Sequence, residues 1–129
     1  MIYLDSSALV KLVLREAESA ALRAWLGSVE VNRTTSELAH VEVLRACRRI
    51  SEQSVPRAKL LLAGLDLIPT TQGLLEAAAL VNPVQLRSLD AVHLAAAVSM
   101  RDDLTAFVTY DHRLRAGAEA AKLPISAPE

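Results

Sequence analysis

IYLDSSALVKLVL, residues 2–14, decides the fold. Ile2–Leu4 is an apolar run of strand length, Asp5 follows it directly, and Ser6–Leu14 then has the apolar spacing of a helix. The same syntax returns a hundred residues later. Ala106–Thr109 reads as a strand, Asp111 comes just after AFVTY, and Asp111–Ala121 reads as a helix. Between these two units, short apolar runs alternate with longer helical patterns. Glu16–Leu26 is an expected helix with Gly27 as its stop, and Glu30–Arg33 an expected second strand. Thr34–Ile50 is an expected helix, in which Thr34 and Glu37 have capping-box spacing and Ala39, Val43, Ala46 and Ile50 form an apolar face. Ser54 and Pro56 open another helix to about Gly64, Leu67–Ile68 is a short strand closed by Pro69, and Thr71–Val81 is helical until Asn82–Pro83 breaks it. A helix over Ser88–Met100 precedes the late strand, and Pro124–Ser126 is an expected edge strand. Such alternation predicts an α/β/α sandwich around a short-stranded, mainly parallel central sheet, built by right-handed crossovers. Ligands of such sheets bind beyond the carboxyl ends of the strands, where Asp5 and Asp111 would both arrive.

Composition sets the outer bounds. At 129 residues the chain reads as one domain, residues 1–129, large enough to bury a core without disulfide or structural metal. It is 52% hydrophobic but only 3% aromatic, so Ala, Leu and Val must build the core. Cys47 is the only cysteine, which excludes an internal disulfide or a cysteine-based zinc site and agrees with a reducing cytoplasm. MIYLDSS carries no basic region of a secretory signal, and no run has membrane-spanning length, so a soluble cytoplasmic protein is expected. The net charge of -1 argues against general adhesion to nucleic acid but not against a local site.

Four acids stand out. Asp5 and Asp111 follow strands, Asp90 is the only charged side chain of SLDAVHLAAAVSM (88–100) if His93 is neutral, and Glu42 lies mid-helix at the margin of an apolar stripe. Each also has an ordinary role. Asp5 and Asp111 suit helix caps, Asp90 suits the first turn after a Ser88 cap, and Glu42 can pair with Arg45 and Arg49. If the four converge at the sheet edge, their mutual repulsion calls for a hard divalent cation, Mg²⁺ or Mn²⁺, which binds carboxylates while keeping water that can be activated against a phosphate. Setting these four of 15 acids aside leaves 11 against 14 Lys and Arg, a formal +3 over the remaining surface.

MIYLDSSALVKLVLRE, SELAHVEVLRACRRI, LRSLDAVHLAAA and FVTYDHRLRAGAEAAKL resemble, in order and over nearly the whole chain, the successive motifs of PIN-domain proteins, especially the VapC-type ribonuclease toxins of bacterial toxin–antitoxin pairs. The resemblance implies a PIN-like fold and Mg²⁺- or Mn²⁺-dependent endonucleolytic cleavage of RNA. By the same resemblance Asp5 and Asp90 are the central metal ligands, with Glu42 and Asp111 completing the set directly or through water. Glu37 is the rival of Glu42, but its capping-box position gives it a structural task. A VapB-like antitoxin whose tail covers the active-site groove is implied as partner.

Other residues carry smaller expectations. Ser6 and Thr109 flank the acids and either hold metal-bound water or serve only the helix start and the strand. His93, one turn beyond Asp90, either approaches substrate or is a satisfied buried histidine. Lys11, Arg15, Arg87, Arg113 and Arg115 are candidates for RNA phosphates, or for routine ion pairs. Trp25 belongs to the core or an interface, since few aromatics accompany it as a stacking platform. The apolar helices of 6–26 and 55–81 suggest a homodimer. Two other functions compete. A phosphatase of the haloacid dehalogenase type also places an Asp after its first strand but wants a second Asp where this chain has Ser7, and a noncatalytic RNA-binding or scaffold domain would keep the acids for stability alone. A receiver-type signalling domain lacks its late-strand Lys here.

Overall fold

In a computed structural model describing residues 1–129, five short strands form one entirely parallel sheet in the order β3-β2-β1-β4-β5. The strands are β1 (Ile2–Leu4), β2 (Arg33–Ser36), β3 (Asp66–Ile68), β4 (Ala106–Val108) and β5 (Ile125–Ser126). The helices are α1 (Ser6–Val13), α2 (Ser19–Gly27), α3 (Ala39–Ile50), α4 (Val55–Ala63), α5 (Gln72–Ala79), α6 (Ser88–Ser99) and α7 (His112–Ala120). None is long and apolar enough to cross a membrane.

The two-residue period of the strands divides the core in two. Ile2, Leu4, Ala106 and Val108 face one way and pack with Leu9, Leu22, Val43 and Leu62 of α1 to α4. Tyr3 and Phe107 face the other way, their rings stacked at 5.3 Å, and pack with Leu74, Leu94 and Leu114 of α5, α6 and α7. Residues 91–97 of α6 are buried without interruption. The apolar, alanine-rich composition of this helix therefore reflects enclosure on all sides rather than one greasy stripe.

Several boundaries differ from those the sequence predicts. The second strand lies at Arg33–Ser36 rather than 30–33, and the capping box between Thr34 and Glu37 does not form. β-branched threonines favour the pleated strand. Thr34 joins the ladder to β1 and β3, its hydroxyl donates to the Asp66 carbonyl at 2.7 Å, and the Glu37 carboxylate instead accepts from the Thr70 amide at 2.6 Å. The helix after it starts only at Ala39, where Ser36 Oγ accepts the Leu38 amide at 3.2 Å. Its buried stripe is Ala39, Val43 and Cys47, at strict i, i+4 spacing, while Ala46 is half-buried and Ile50 is 71% exposed. α2 begins at Ser19, not Glu16, because the Ser19 hydroxyl ties the preceding turn by donating to the Leu14 carbonyl and accepting from the Glu16 amide. Ser88 is the first residue of α6 rather than its cap, and that helix start has no side-chain cap.

Candidate active site

The chain leaves β1 toward β2 and β3, then returns to place β4 on the other side of β1. The crevice at the carboxyl ends of β1 and β4 is thus the point where strand order reverses, the usual place for a site in an open parallel sheet. Asp5 leaves β1 there, and Asp111 arrives three residues after β4 ends at Val108.

Asp5 is 2% exposed, and both of its oxygens accept hydrogen bonds. Its Oδ1 accepts the Ala8 amide at 2.9 Å, which caps α1, and the Ser7 hydroxyl at 2.6 Å; its Oδ2 accepts the Thr109 hydroxyl at 2.5 Å. Burial pushes the Asp5 carboxyl up, against the opposing pull of the bonds from Ser7 and Thr109, the His93 charge and the Ala8 amide. Thr109 also accepts the Asp111 amide at 3.1 Å, so one hydroxyl couples the acids of the two strands. Ser7 does parallel work by accepting the Tyr110 amide at 2.9 Å.

Asp111 caps α7 with Oδ1, accepting from the amides of Arg113 and Leu114 at 2.9 and 3.0 Å. Its Oδ2 faces Arg87, whose guanidinium bridges Asp111 at 3.4 Å and Asp90 Oδ2 at 3.2 Å. Glu42 comes in from α3. Its Oε1 accepts both the Ser6 hydroxyl at 2.9 Å and His93 Nε2 at 2.7 Å. A carboxylate only accepts, so Nε2 carries the proton; His93 Nδ1 lies 2.6 Å from the Tyr3 hydroxyl, which accepts the Ser36 amide at 3.1 Å. Burial pushes the Glu42 carboxyl up, but the hydrogen bond and charge of His93, then Ser6 and Arg87, outweigh it and hold the group below its ordinary value.

All four acids therefore reach one edge of the sheet, and each of the ordinary roles expected of Asp5 and Asp111 as caps is filled as well. No three Asp, Glu, His or Cys side chains form a ready-made cation cage. The donor set nonetheless suits a hard divalent ion. Glu42 Oε2 and Asp90 Oδ1 make no protein hydrogen bond, while Asp90 Oδ2 and Asp111 Oδ2 meet only the guanidinium of Arg87, a side chain 64% exposed and free to swing away. Arg87 is the stand-in cation of this arrangement.

Beside the acids opens a cleft of about 600 Å³, whose walls include Ser6, Lys11, Glu42, Arg45, Arg49 and Asp111. Of the basic residues expected to meet RNA, Lys11 lines it but is paired with Glu18 at 2.7 Å and Glu16 at 3.8 Å, its ammonium 4.9 Å from the Tyr110 ring. Arg87 is held by the two aspartates. Arg15, Arg113 and Arg115 are exposed and do not line the cleft, and Arg115 pairs with Glu119 at 3.2 Å. Two features of the site differ from what the sequence predicts. Ser7 is a partner of Asp5, and Arg45 and Arg49 do not pair with Glu42 but line the cleft beside it; the signal was the i, i+3, i+7 spacing of these three on one helix face.

Parallel topology, a reversal between β1 and β4 and a convergence of acids at that edge define a class of site. The model of the PIN domain family matches residues 2–120, and the chain belongs to that family. From Mycobacterium tuberculosis, Ribonuclease VapC47 is 44% identical over 99% of this chain and 97% of its own length, and Ribonuclease VapC35 is 45% identical over the same shares. Ribonuclease VapC46 of that organism is 42% identical over 98% of this chain and 97% of its own. Among solved structures, Mycobacterium tuberculosis VapC20, a sarcin-ricin loop cleaving toxin, superposes with a TM-score of 0.74 at 18% identity, covering 90% of this chain and 94% of that one. A toxin–antitoxin complex from Klebsiella pneumoniae gives 0.75 at 20% identity, covering 100% and 98%. The haloacid dehalogenase alternative is thereby set aside.

Proposed function

We propose that this protein is an endoribonuclease of the VapC type, the toxin of a toxin–antitoxin pair, dependent on Mg²⁺ or Mn²⁺. Its relatives named as VapC ribonucleases span nearly the whole chain at 42–45% identity. The observation that carries the reading is the linkage of four acids at one edge: Asp5 to Asp111 through Thr109, Asp111 to Asp90 through Arg87, with Glu42 held alongside by Ser6.

Asp5, Glu42, Asp90 and Asp111 would hold the cation. When bound it supplies a Lewis acid that neutralises phosphate charge and acidifies the attacking water. The chain's own residues do the rest. Thr109 and Ser7 fix the Asp5 carboxylate, and Ser6 and His93 fix Oε1 of Glu42. Glu42 Oε2 is left on the cleft wall without a protein partner, and the lowered pKa of the group keeps it charged for the cation. Arg87, once off the aspartates, and Lys11 at the cleft wall bring positive charge beside the acids.

The same reading supplies the partners: RNA as substrate, a VapB-like antitoxin over the groove, and a second copy of the chain. For the homodimer, 6–26 offers no large exposed apolar side chain, whereas Leu60, Leu75 and Leu80 within 55–81 are exposed, as is Val84. A gel-filtration mass of one chain at micromolar concentration would count against it. A cytoplasmic location goes with an RNA substrate and with the unpaired, buried Cys47.

A noncatalytic RNA-binding or scaffold role draws support from one observation, that every acid already has a protein partner and no cage is preformed. Structured RNAs incubated with the protein in Mg²⁺, in Mn²⁺ and in chelator separate the two. The nuclease gives internal cuts only with cation, lost in Asp5→Asn and Glu42→Gln. A scaffold leaves the RNA intact under all conditions.

A further inference from the structure

The cleft has cations that the acids do not use. Three basic residues line it: Lys11, Arg45 and Arg49. Lys11 is neutralised by Glu18 and Glu16, but Arg45 and Arg49 take part in no ion pair and no side-chain hydrogen bond, and both are exposed. Their neighbour Arg48 is satisfied by Glu52 at 3.0 Å. Two uncompensated guanidinium groups thus stand on the cleft wall beside a cluster of carboxylates.

Helix geometry gives them direction. Glu42, Arg45 and Arg49 share one face, and at about 1.5 Å of rise per residue Arg45 lies ~4.5 Å and Arg49 ~10.5 Å farther along α3 than Glu42. Both arginines also line a second hollow, with Arg48 and Glu52, of about 240 Å³. The two hollows therefore join along a basic track that starts at Glu42 and leads away from the acids. Guanidinium groups pair with phosphate through paired N–H donors, and carry no base specificity by doing so.

We propose that Arg45 and Arg49 form a binding subsite for the RNA backbone, seating two phosphates to one side of the one that is cut. This rests on the nuclease reading above. The strand enters along α3, each arginine neutralises one phosphate, and the scissile group is thereby delivered to Glu42 and the aspartates. The subsite is indifferent to sequence and sets grip and register. Its competitor is purely structural: Arg49, in the last turn of α3, complements the helix dipole.

The test uses the full chain, a labelled single-stranded RNA of mixed sequence and excess chelator, so that nothing is cut, with affinity read by anisotropy between about 50 and 200 mM salt. Each phosphate contact contributes ~0.7 to the slope of log affinity against log salt for a single strand. Arg45→Gln and Arg49→Gln should each lower the slope by ~0.7 and the double variant by ~1.4, while R45K and R49K retain most of it and R115Q matches the parent. A double variant with the parent's slope overturns the subsite. So does a pair of variants that change only the melting temperature, as the dipole role would. If the parent cuts RNA and the slopes do not move, the subsite fails and the nuclease reading stands; a parent that neither binds nor cuts RNA sinks both.

Discussion

His93 Nε2 lies 2.7 Å from Glu42 Oε1, and the same imidazole reaches the Tyr3 hydroxyl at 2.6 Å through Nδ1. A helix buried on one side of the sheet thereby fixes a carboxylate on α3, which packs on the other side. The bond runs past the end of β1, where Ser6 adds a second donor to the same oxygen.

His93→Ala should destabilise the protein by about 1–3 kcal/mol, because both Glu42 and Tyr3 lose a buried partner. It should also raise the Glu42 pKa, since His93 is the chief agent holding it down. A carboxyl depressed on folding contributes stability that is present above its unfolded value and lost as pH falls through the folded one. The acid limb of unfolding should accordingly flatten in the variant. NMR titration of Glu42 and denaturant melts between pH 3 and 6 check both parts; an unmoved Glu42 would refute the coupling.

Asp5→Asn should abolish cleavage without unfolding the chain. Burial raises the Asp5 pKa, so folding is opposed by its charge once the pH climbs from the unfolded value through the folded one. Asn keeps the cap of α1 and carries no charge. Its melting temperature at pH 7 should equal or exceed that of the parent, and the difference should shrink toward acid pH. A variant much less stable at neutral pH would show that Asp5 is chiefly a structural group.

Arg87→Gln should tighten Mn²⁺ binding a few-fold, the scale of the ~0.2–1 kcal/mol that an exposed ion pair contributes. The guanidinium and the ion compete for Asp90 and Asp111. Calorimetry in the absence of RNA measures this, and weaker binding in the variant would show that Arg87 does not occupy the ion's place.

Divalent cation should raise the melting temperature of the parent, with a gain of about 2.7 kcal/mol at a hundredfold excess over Kd. Chelator should reverse it, and Asp90→Asn should remove most of it. A melting temperature blind to Mg²⁺ and Mn²⁺ would contradict the assignment of the four acids as ligands.

Much of this was legible in the residues. Strand, acid, helix at both ends of the chain announced the parallel sheet and brought Asp5 and Asp111 together, since crossover topology leaves little choice. The failures cluster at Thr34–Glu37, where capping-box spacing misled because threonine serves a strand as readily as a helix start, and only the ladder to β1 and β3 decides. The stripe of α3 is ambiguous for the same kind of reason: Ala46 and Cys47 are both small and apolar, and packing alone selects Cys47. That choice turned Arg45 and Arg49 into the cleft. Side-chain partnerships such as Thr109 with Asp5 lay beyond reach, because spacing does not encode which hydroxyl faces which carboxylate.

β4 lies inside the sheet, between β1 and β5, yet is the fourth strand to be made, and the acidic edge needs Thr109 and Asp111 beyond it. A ribosome must release the chain past Asp111 before that edge can close. Synthesis order therefore acts as a safety catch: a polypeptide that stops before β4 lacks both Thr109 and Asp111, and its acidic edge stays open.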